Sequence, residues 1–232
     1  MSLNAKQITH VCLDADDTLW ENEPNFRRTE REFYALLKHK LTEREAEDKL
    51  FQTEMANLDT FGYGVKSFTL SMIETALNTL DGEEAARAAR KILDLGKNLL
   101  QTPVILLPGV KETLEKLTPK YHLAVITKGD LLAQERKLED SGLLPLFGRV
   151  EIVSKKDTSV YRSIFRAWNV NPENILMVGN SLKSDVLPAV AAGAQGAWIP
   201  CEDNWKYEQT EEPENPSYVK LNALTDLLTV LL

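Results

Sequence analysis

The sequence is poor in cysteine, with only Cys12 and Cys201 among its 232 residues. Two cysteines so far apart in the chain exclude a disulfide framework, and their scarcity favours a reducing compartment. The opening stretch, MSLNAKQITHVCLD, lacks the basic-then-apolar pattern of a secretory signal. No apolar run approaches the ~20 residues that a membrane-spanning helix needs. These absences predict a soluble, cytoplasmic protein that does not associate with membranes.

An excess of basic charge is missing too. The 27 Lys and Arg residues are outnumbered by 35 Asp and Glu residues, which gives a formal net charge of -8. A protein that binds the phosphate backbone of nucleic acid needs a basic face, so nucleic acid is not an expected partner. The chain is long enough to bury a sizeable core. We expect a monomer or a homodimer.

Short apolar segments alternate with amphipathic ones over most of the chain. The apolar segments, interpreted as buried strands, are 8–13, 122–127, 149–153, 174–179 and 196–200. The segments with helical spacing between them are 109–117, 131–142, 159–170 and 184–193. This alternation predicts an α/β fold in which a parallel sheet carries helices on both faces.

The stretch 22–102 interrupts the alternation. It contains consecutive segments with helical spacing, broken near 41–42, at 59–64 and at 81–82 by turn residues. We therefore predict a helical domain, 22–102, inserted into a discontinuous α/β domain made of 1–21 and 103–232.

Polar residues follow the predicted strands where each strand ends. They are Asp14 and Asp16 after the first strand, Thr127 after the second, Lys155 and Lys156 after the third, and Asn180 with Asp185 after the fourth. The carboxyl ends of parallel strands meet at one edge of a sheet, where ligands bind. Converging carboxylates suit Mg²⁺, and a hydroxyl with an ammonium group suits an anion. The combination predicts a phosphoryl-transfer site.

These residues resemble the motifs of the haloacid dehalogenase-like hydrolase superfamily, most of whose members are Mg²⁺-dependent phosphatases. The first motif, Asp-x-Asp-x-Thr, is matched by Asp14, Asp16 and Thr18. The second is matched by Thr127, and the fourth by MVGNSLKSDV (177–186) except at Asn180. For the third motif, the spacing to Tyr161 favours Lys155 over Lys156. The resemblance covers about 10–200 and implies a Rossmann-like, doubly wound parallel sheet with an inserted α-helical cap.

The resemblance also implies roles for these residues. Asp14 would be the nucleophile and a metal ligand, and Asp16 the acid and base, with its backbone carbonyl on the metal. Thr127, Lys128 and Lys155 would bind the phosphoryl oxygens. Asn180 and Asp185 would complete a Mg²⁺ site. The implied activity is hydrolysis of a small phosphorylated metabolite through an aspartyl phosphate.

One departure from the pattern leaves alternatives open. Asn180 stands where the family usually has an acidic metal ligand, so we expect weaker metal binding or a larger role for Asp185. A phosphosugar mutase, or a catalytically weakened protein that binds or regulates a partner, therefore remains an alternative. The presence of Asp16 favours ester hydrolysis over dehalogenation. A phospho-acceptor receiver module is disfavoured because such modules are shorter and lack the helical insertion. Asp17 is expected to be a bystander.

Overall fold

All strand pairs of the central sheet are parallel in the computed structural model, which describes residues 3–201 and 205–232. The six strands found in these residues are β1 (His10–Leu13), β2 (His122–Lys128), β3 (Arg149–Val153), β4 (Ile175–Gly179), β5 (Gln195–Trp198) and β6 (Val219–Lys220). The predicted α/β class is confirmed. The short edge strand β6 was not predicted.

The order of the strands across the sheet is β3-β2-β1-β4-β5-β6. Strand β1 therefore lies in the middle, paired with β2 on one side and β4 on the other. The chain runs outward from β1 in both directions, so the topology switches between β1 and β4. In open sheets of this kind, ligands bind beside the carboxyl ends of the strands at the switch point.

Helices cover both faces of the sheet, and the strands are apolar on both sides for that reason. Successive side chains of a strand point to opposite faces. In β1, Val11 and Leu13 join the core on one face, and Cys12 joins the core on the other. The second core also contains Tyr161 and Phe165, which are fully buried. The continuous apolar runs of the sequence are thus explained by burial on two faces.

The helices have the following bounds. They are α1 (Glu23–Leu37), α2 (Glu43–Phe61), α3 (Val65–Leu77), α4 (Gly82–Leu100), α5 (Val110–Leu117), α6 (Leu131–Asp140), α7 (Thr158–Trp168), α8 (Leu187–Ala191) and α9 (Leu227–Leu231). A one-turn π-helix, Leu182–Val186, directly precedes α8. Within the described residues, no helix has both the length and the apolar character needed to cross a membrane.

The chain divides into two compact units. The first comprises Met1–Glu23, Val104–Lys128 and Gln134–Leu232, and the second comprises Pro24–Pro103 and Gly129–Ala133. The predicted boundaries, after 21 and after 102, differ from these by one or two residues. The segment 129–133, predicted to belong to the α/β domain, is grouped with the helical unit.

The helical unit has its own hydrophobic core. Phe33, Leu50, Met72 and Ile92, one from each of α1 to α4, are almost completely buried in it. The break before α2 is a capping box: the Thr42 hydroxyl accepts from the Glu45 backbone N–H at 3.3 Å, and the Glu45 carboxylate accepts from the Thr42 N–H at 2.8 Å. Such reciprocal bonds satisfy backbone groups that the start of a helix leaves unpaired.

Candidate active site

Asp14 and Asn180 directly follow β1 and β4, and the Thr18 hydroxyl joins them. Thr18 Oγ1 lies 3.3 Å from Asp14 Oδ2 and 3.4 Å from Asn180 Oδ1, and it accepts a hydrogen bond from the Asn180 backbone N–H at 3.1 Å. All three residues are buried. The turn after β1 returns Thr18 to this position because the Leu19 backbone N–H bonds to the Ala15 carbonyl at 2.8 Å. Two acceptor oxygens thus lie side by side at the switch point.

Lys156 connects Asp14 with Asp185. Its Nζ donates to Asp14 Oδ1 and, at 2.7 Å, to Asp185 Oδ1. The side chain of Lys156 is only 1% exposed, and that of Asp185 is 2% exposed. The second carboxylate oxygen of Asp185 accepts from the Ser181 backbone N–H at 2.9 Å. A buried charge needs a partner of opposite sign, and here one ammonium group serves two carboxylates.

The pKa of Asp14 depends on its burial and on the ammonium group that it shares with Asp185. Burial raises the pKa of Asp14 to about 7, and the nearby charge of Asp185 adds to the rise, while Lys156 opposes it. Burial alone would lower the pKa of Lys156, but Asp14 and Asp185 together raise it above its ordinary value. When both carboxylates are ionised, they outnumber the one ammonium group, and the cluster attracts a further cation.

Lys155, the lysine preferred from the sequence, lies outside this cluster. Its side chain is 66% exposed, and its Nζ pairs with Asp157 Oδ2 at 3.0 Å. Asp157 caps the start of α7 by accepting from the Val160 backbone N–H at 2.9 Å. Lys155 is thus held at a solvent-exposed helix terminus, whereas two buried carboxylates hold Lys156. The structure corrects the sequence-based choice: Lys156 is the lysine that meets the aspartates.

Thr127 is brought close to Asp16 by a glutamine of α6. Gln134 Nε2 lies 2.8 Å from Thr127 Oγ1 and 3.1 Å from Asp16 Oδ2. Thr127 is 1% exposed and Gln134 is 3% exposed, so neither side chain is a surface group. The amide fixes the Thr127 hydroxyl, at the end of β2, relative to the carboxylate that follows β1.

The Asp16 carboxylate has two further donors. Oδ1 accepts from Trp20 Nε1 at 2.7 Å and from Lys137 Nζ at 2.8 Å, and Lys137 also donates to Asn22 Oδ1 at 2.8 Å. Burial would raise the pKa of Asp16. Lys137, Trp20 and Gln134 outweigh that effect and hold the pKa below its ordinary value. Asp14 and Asp16 are therefore shifted in opposite directions, a pattern that separates the roles of two carboxylates in many active sites.

Lys128, predicted as a phosphate ligand, is engaged by an acidic residue from the loop before β6. Its Nζ bonds to Glu208 Oε1 and, at 2.9 Å, to Ser184 Oγ. Glu208 Oε2 accepts from Ser181 Oγ at 2.5 Å and from Ser184 Oγ at 2.6 Å. Lys128 thus lies beside Thr127 in sequence, but its charge is directed to Glu208.

The carboxylate of Asp17, the aspartate expected to be a bystander turned away from the site, is directed to the backbone at the start of α1. Its backbone has a φ of 58°, in the left-handed region, and its carboxylate accepts from the backbone N–H groups of Asn22 and Glu23 at 2.8 and 3.0 Å. Burial raises the pKa of Asp17 to about 6, although the Asn22 bond opposes the rise. Asp17 therefore fixes the chain where it leaves β1 and enters α1.

The donors at the switch point fit a magnesium ion. Mg²⁺ prefers oxygen ligands and is usually held by one or two carboxylates, with water and substrate oxygens completing the shell. Asp14 supplies a carboxylate, and Asn180 an amide oxygen that faces the same hydroxyl. Among the His, Cys, Asp and Glu side chains that the structure describes, no group of three or more is arranged to hold a metal ion. A site here would accordingly rely on neutral oxygens as well.

The structure thus brings most of the predicted residues together in pairs. Asp14 and Asp185 meet at Lys156, Asp14 and Asn180 meet at Thr18, and Asp16 and Thr127 meet at Gln134. Four residues of these contacts were not predicted as site residues from the sequence: Gln134, Lys137, Trp20 and Glu208. A signal existed for two of them, because Gln134 and Lys137 lie three residues apart on the helix after Thr127, which places them on one face. No sequence signal pointed to Glu208, which lies 80 residues from Lys128.

The chain belongs to the haloacid dehalogenase-like hydrolases, whose family model matches residues 8–193. A solved haloacid dehalogenase-like hydrolase from Xanthomonas campestris is 34% identical, with a TM-score of 0.86, and the match covers 100% of this chain and 93% of that one. Fold, topology and family therefore agree.

Two curated relatives have named activities. The 5-amino-6-(5-phospho-D-ribitylamino)uracil phosphatase YigB of Escherichia coli is 24% identical over 97% of both chains. The glyceraldehyde 3-phosphate phosphatase of Pyrococcus furiosus is 32% identical over 53% of both chains. Together with the family, these activities support a phosphoric monoester hydrolase as the enzyme class.

Proposed function

We propose that the protein is a Mg²⁺-dependent phosphatase that hydrolyses a small phosphorylated metabolite through an aspartyl phosphate. The observation that carries the proposal is the buried cluster in which Lys156 holds Asp14 and Asp185 at the switch point of the sheet. Asp16 and Thr127, joined by Gln134, lie at the ends of the two strands β1 and β2. The enzyme class of the relatives supports the same reaction.

Asp14 is assigned the role of nucleophile. One of its carboxylate oxygens attacks phosphorus, the bond from phosphorus to the substrate's ester oxygen breaks, and the phosphoryl group is transferred to Asp14. Water then attacks the same phosphorus atom, which releases inorganic phosphate and restores the carboxylate. Burial of Asp14 favours this chemistry because a desolvated carboxylate is less stabilised by water than an exposed one.

Asp16 is assigned the proton transfers of both steps. It donates a proton to the departing ester oxygen and later accepts one from the attacking water. The lowered pKa of Asp16 favours the carboxylate, the form that the second step needs. Its protonation for the first step requires that the contact with Lys137 be loosened, so we assign Lys137 the task of holding Asp16 between turnovers.

Thr127 and Lys156 are assigned the phosphoryl oxygens. The Thr127 hydroxyl lies at the end of β2, and the Lys156 ammonium group follows β3, the neighbouring strand. Donors that are positioned in this way stabilise the charge on a phosphoryl group during its transfer. Lys156 takes the place that the sequence analysis gave to Lys155. Lys128 is not assigned a phosphate contact, because its charge is engaged by Glu208.

Asp14, Asn180, Asp185 and the backbone carbonyl of Asp16 would hold the Mg²⁺ ion. When bound, the ion neutralises the charge that accumulates on the phosphoryl oxygens and the nucleophile. Asn180 contributes no charge, so the site has one negative charge fewer than the family pattern supplies.

The substrate is proposed to be a small metabolite. The named relatives act on phosphorylated small molecules, as their names state. We assign the helical unit the role of a substrate-selecting cap, as in the family type that the sequence resembles. A cytoplasmic location and a monomeric or homodimeric state remain predictions from the sequence.

The first test is hydrolysis of p-nitrophenyl phosphate by the purified protein. We expect release of nitrophenol in the presence of Mg²⁺ and loss of that release on addition of EDTA, with recovery when excess Mg²⁺ is returned. A panel of phosphorylated metabolites would then identify the substrate. Release that persists in EDTA would contradict the metal requirement. Conversion of a phosphosugar into its isomer without free phosphate would favour the mutase alternative.

Asn180→Asp is expected to tighten Mg²⁺ binding by about tenfold or more. An added carboxylate charge next to a divalent ion contributes a few kcal/mol even at an effective dielectric constant of ~20, and this exceeds the added repulsion from Asp14. Calorimetric titration with Mg²⁺ measures the change. Asn98→Asp adds the same charge at an exposed position of α4 and serves as the control. Equal affinities of both variants and the wild type would place Asn180 outside the coordination sphere.

A further inference from the structure

Glu208 is a buried acidic residue for which the proposed mechanism has no use. It lies in a short 3₁₀ turn, Lys206–Glu208, of the loop before β6, and it is only 8% exposed. Its carboxylate nevertheless accepts hydrogen bonds from Lys128, Ser181 and Ser184. An acidic side chain that a loop buries at the catalytic edge of the sheet requires an explanation.

The two serines connect Glu208 with the segment that carries Asp185. Ser181 precedes the π-helix Leu182–Val186, and its hydroxyl accepts from the Ser184 backbone N–H at 3.0 Å. Both hydroxyls use their single hydrogen on Glu208. A π-helical turn is rare and is usually retained at functional sites. Glu208 therefore holds the residue before this turn and the residue next to Asp185 within it.

Asp185 has little freedom to adjust if this turn shifts. A Cβ atom added at Gly179 would lie 2.3 Å from Asp185 Oδ2, so the carboxylate lies directly against the backbone at the end of β4. Its oxygens are fixed by Lys156 and by the Ser181 backbone N–H. A small displacement of the turn would change both contacts at once.

We propose that Glu208 is a positioning residue of the metal site, which orients Asp185 through the hydroxyls of Ser181 and Ser184. This inference rests on the proposed function, because it assigns Asp185 to the Mg²⁺ site. Because Asn180 is neutral, Asp185 would supply more of the negative charge that faces the metal, and its orientation would matter more. Substitution of a group that hydrogen-bonds behind a metal ligand typically lowers metal affinity about 10- to 100-fold.

The decisive variant is Glu208→Met. Methionine keeps about the length of the side chain and removes both oxygens, which accept from Lys128, Ser181 and Ser184. We expect Mg²⁺ affinity, measured by calorimetry without substrate, to fall about 10- to 100-fold. Glu211→Met, an exposed change in the same loop, serves as the control and should stay within twofold. Affinities that match between the two variants would overturn the proposal.

A competing explanation is that Glu208 only neutralises Lys128. The double variant Lys128→Met/Glu208→Met separates the two roles, because it removes both charges and also removes the oxygen that accepts from the two serines. Positioning predicts that Mg²⁺ affinity stays low in the double variant. Recovery to the level of Lys128→Met alone would overturn positioning and leave charge neutralisation as the role of Glu208.

Ser184→Ala is a milder test should Glu208→Met fail to fold. It removes the hydrogen bond to Glu208 and the one accepted from Lys128, and it keeps the ion pair between Lys128 and Glu208. We expect a several-fold loss of Mg²⁺ affinity with an unchanged far-ultraviolet circular dichroism spectrum. Wild-type affinity in this variant would contradict the proposal. Absence of Mg²⁺ binding by the wild type would instead remove the metal from the proposed function itself, so the two failures are distinguishable.

Discussion

Asp14→Asn is expected to lower kcat for p-nitrophenyl phosphate by about ten thousandfold or more. Removing the nucleophile of a covalent mechanism costs rate enhancements of this order, because the remaining groups only bind and polarise the substrate. The amide is nearly the same size as the carboxylate and can still accept from Thr18. It cannot form the aspartyl phosphate. Steady-state kinetics of the purified variant with saturating Mg²⁺ measures the loss.

The fold of this variant should survive. Burial raises the pKa of Asp14 to about 7, which means that its charge is costly in the folded protein at neutral pH. Removing that charge also leaves Lys156 paired with Asp185. We expect the melting temperature to change by no more than about 4 °C, the effect of ~1 kcal/mol in a protein of this size. Asp140→Asn, at an exposed position of α6, is the control, and activity of Asp14→Asn equal to that control would refute the nucleophile assignment.

The sequence predicted which strand ends would form the site because that information is local. An apolar run followed by Asp14, or by Asn180, indicates both a strand and the polar group that follows it. Parallel strands then bring such groups to one edge whatever the details of packing. Because β1 lies between β2 and β4, the polar groups that follow β1 are next to those of β2 and β4.

The sequence could not decide which neighbouring lysine enters the site. Lys155 and Lys156 differ by one position, and the spacing to Tyr161 tolerates either. The choice depends on competing partners: Asp157 caps α7 and holds Lys155 in solvent, whereas Asp14 and Asp185 provide buried charge for Lys156. The sequence does not show which lysine is near which of these three carboxylates, because that depends on the fold.

Long-range contacts from irregular segments were also hidden. Glu208 lies in an acidic loop whose composition indicates solvent exposure, yet it is buried against Ser181 and Ser184. The segment 129–133 was assigned with its sequence neighbours, although the structure groups it with the helical unit. There, Lys66 pairs with Asp130 at 2.9 Å. Neither contact leaves a periodic pattern in the sequence, because each joins a loop to a distant residue.

The cluster of aspartates after β1 is tolerated because each one has a different partner. Asp14 faces Lys156, Asp16 faces Lys137, and Asp17 accepts backbone N–H groups at the start of α1. Like charges this close would otherwise repel one another and destabilise the fold. Lys156 and Lys137 thus stabilise the site before any metal binds.

Lys156→Met is expected to destabilise the metal-free protein by about 3–5 kcal/mol and to abolish most activity. The change leaves Asp14 and Asp185 facing each other in a buried site without their shared counter-charge, and breaking a buried ion pair from one side has a cost of this size. The loss of a donor to the phosphoryl group should lower kcat by a further ~100- to 1,000-fold. Lys155→Met, at the exposed neighbour, should stay within about 0.5 kcal/mol and keep its activity.

Thermal unfolding with and without Mg²⁺ separates these contributions. A ligand that binds only the folded state raises its stability with the logarithm of the ligand concentration. Because Mg²⁺ supplies the positive charge that Lys156→Met lacks, the ion should raise the melting temperature of this variant more than that of the wild type. Kinetics must be measured well below both unfolding temperatures, so that lost activity reports on the site. If Lys155→Met lost activity while Lys156→Met retained it, the phosphoryl-binding lysine would be Lys155 after all, and the buried ion pair would be purely structural.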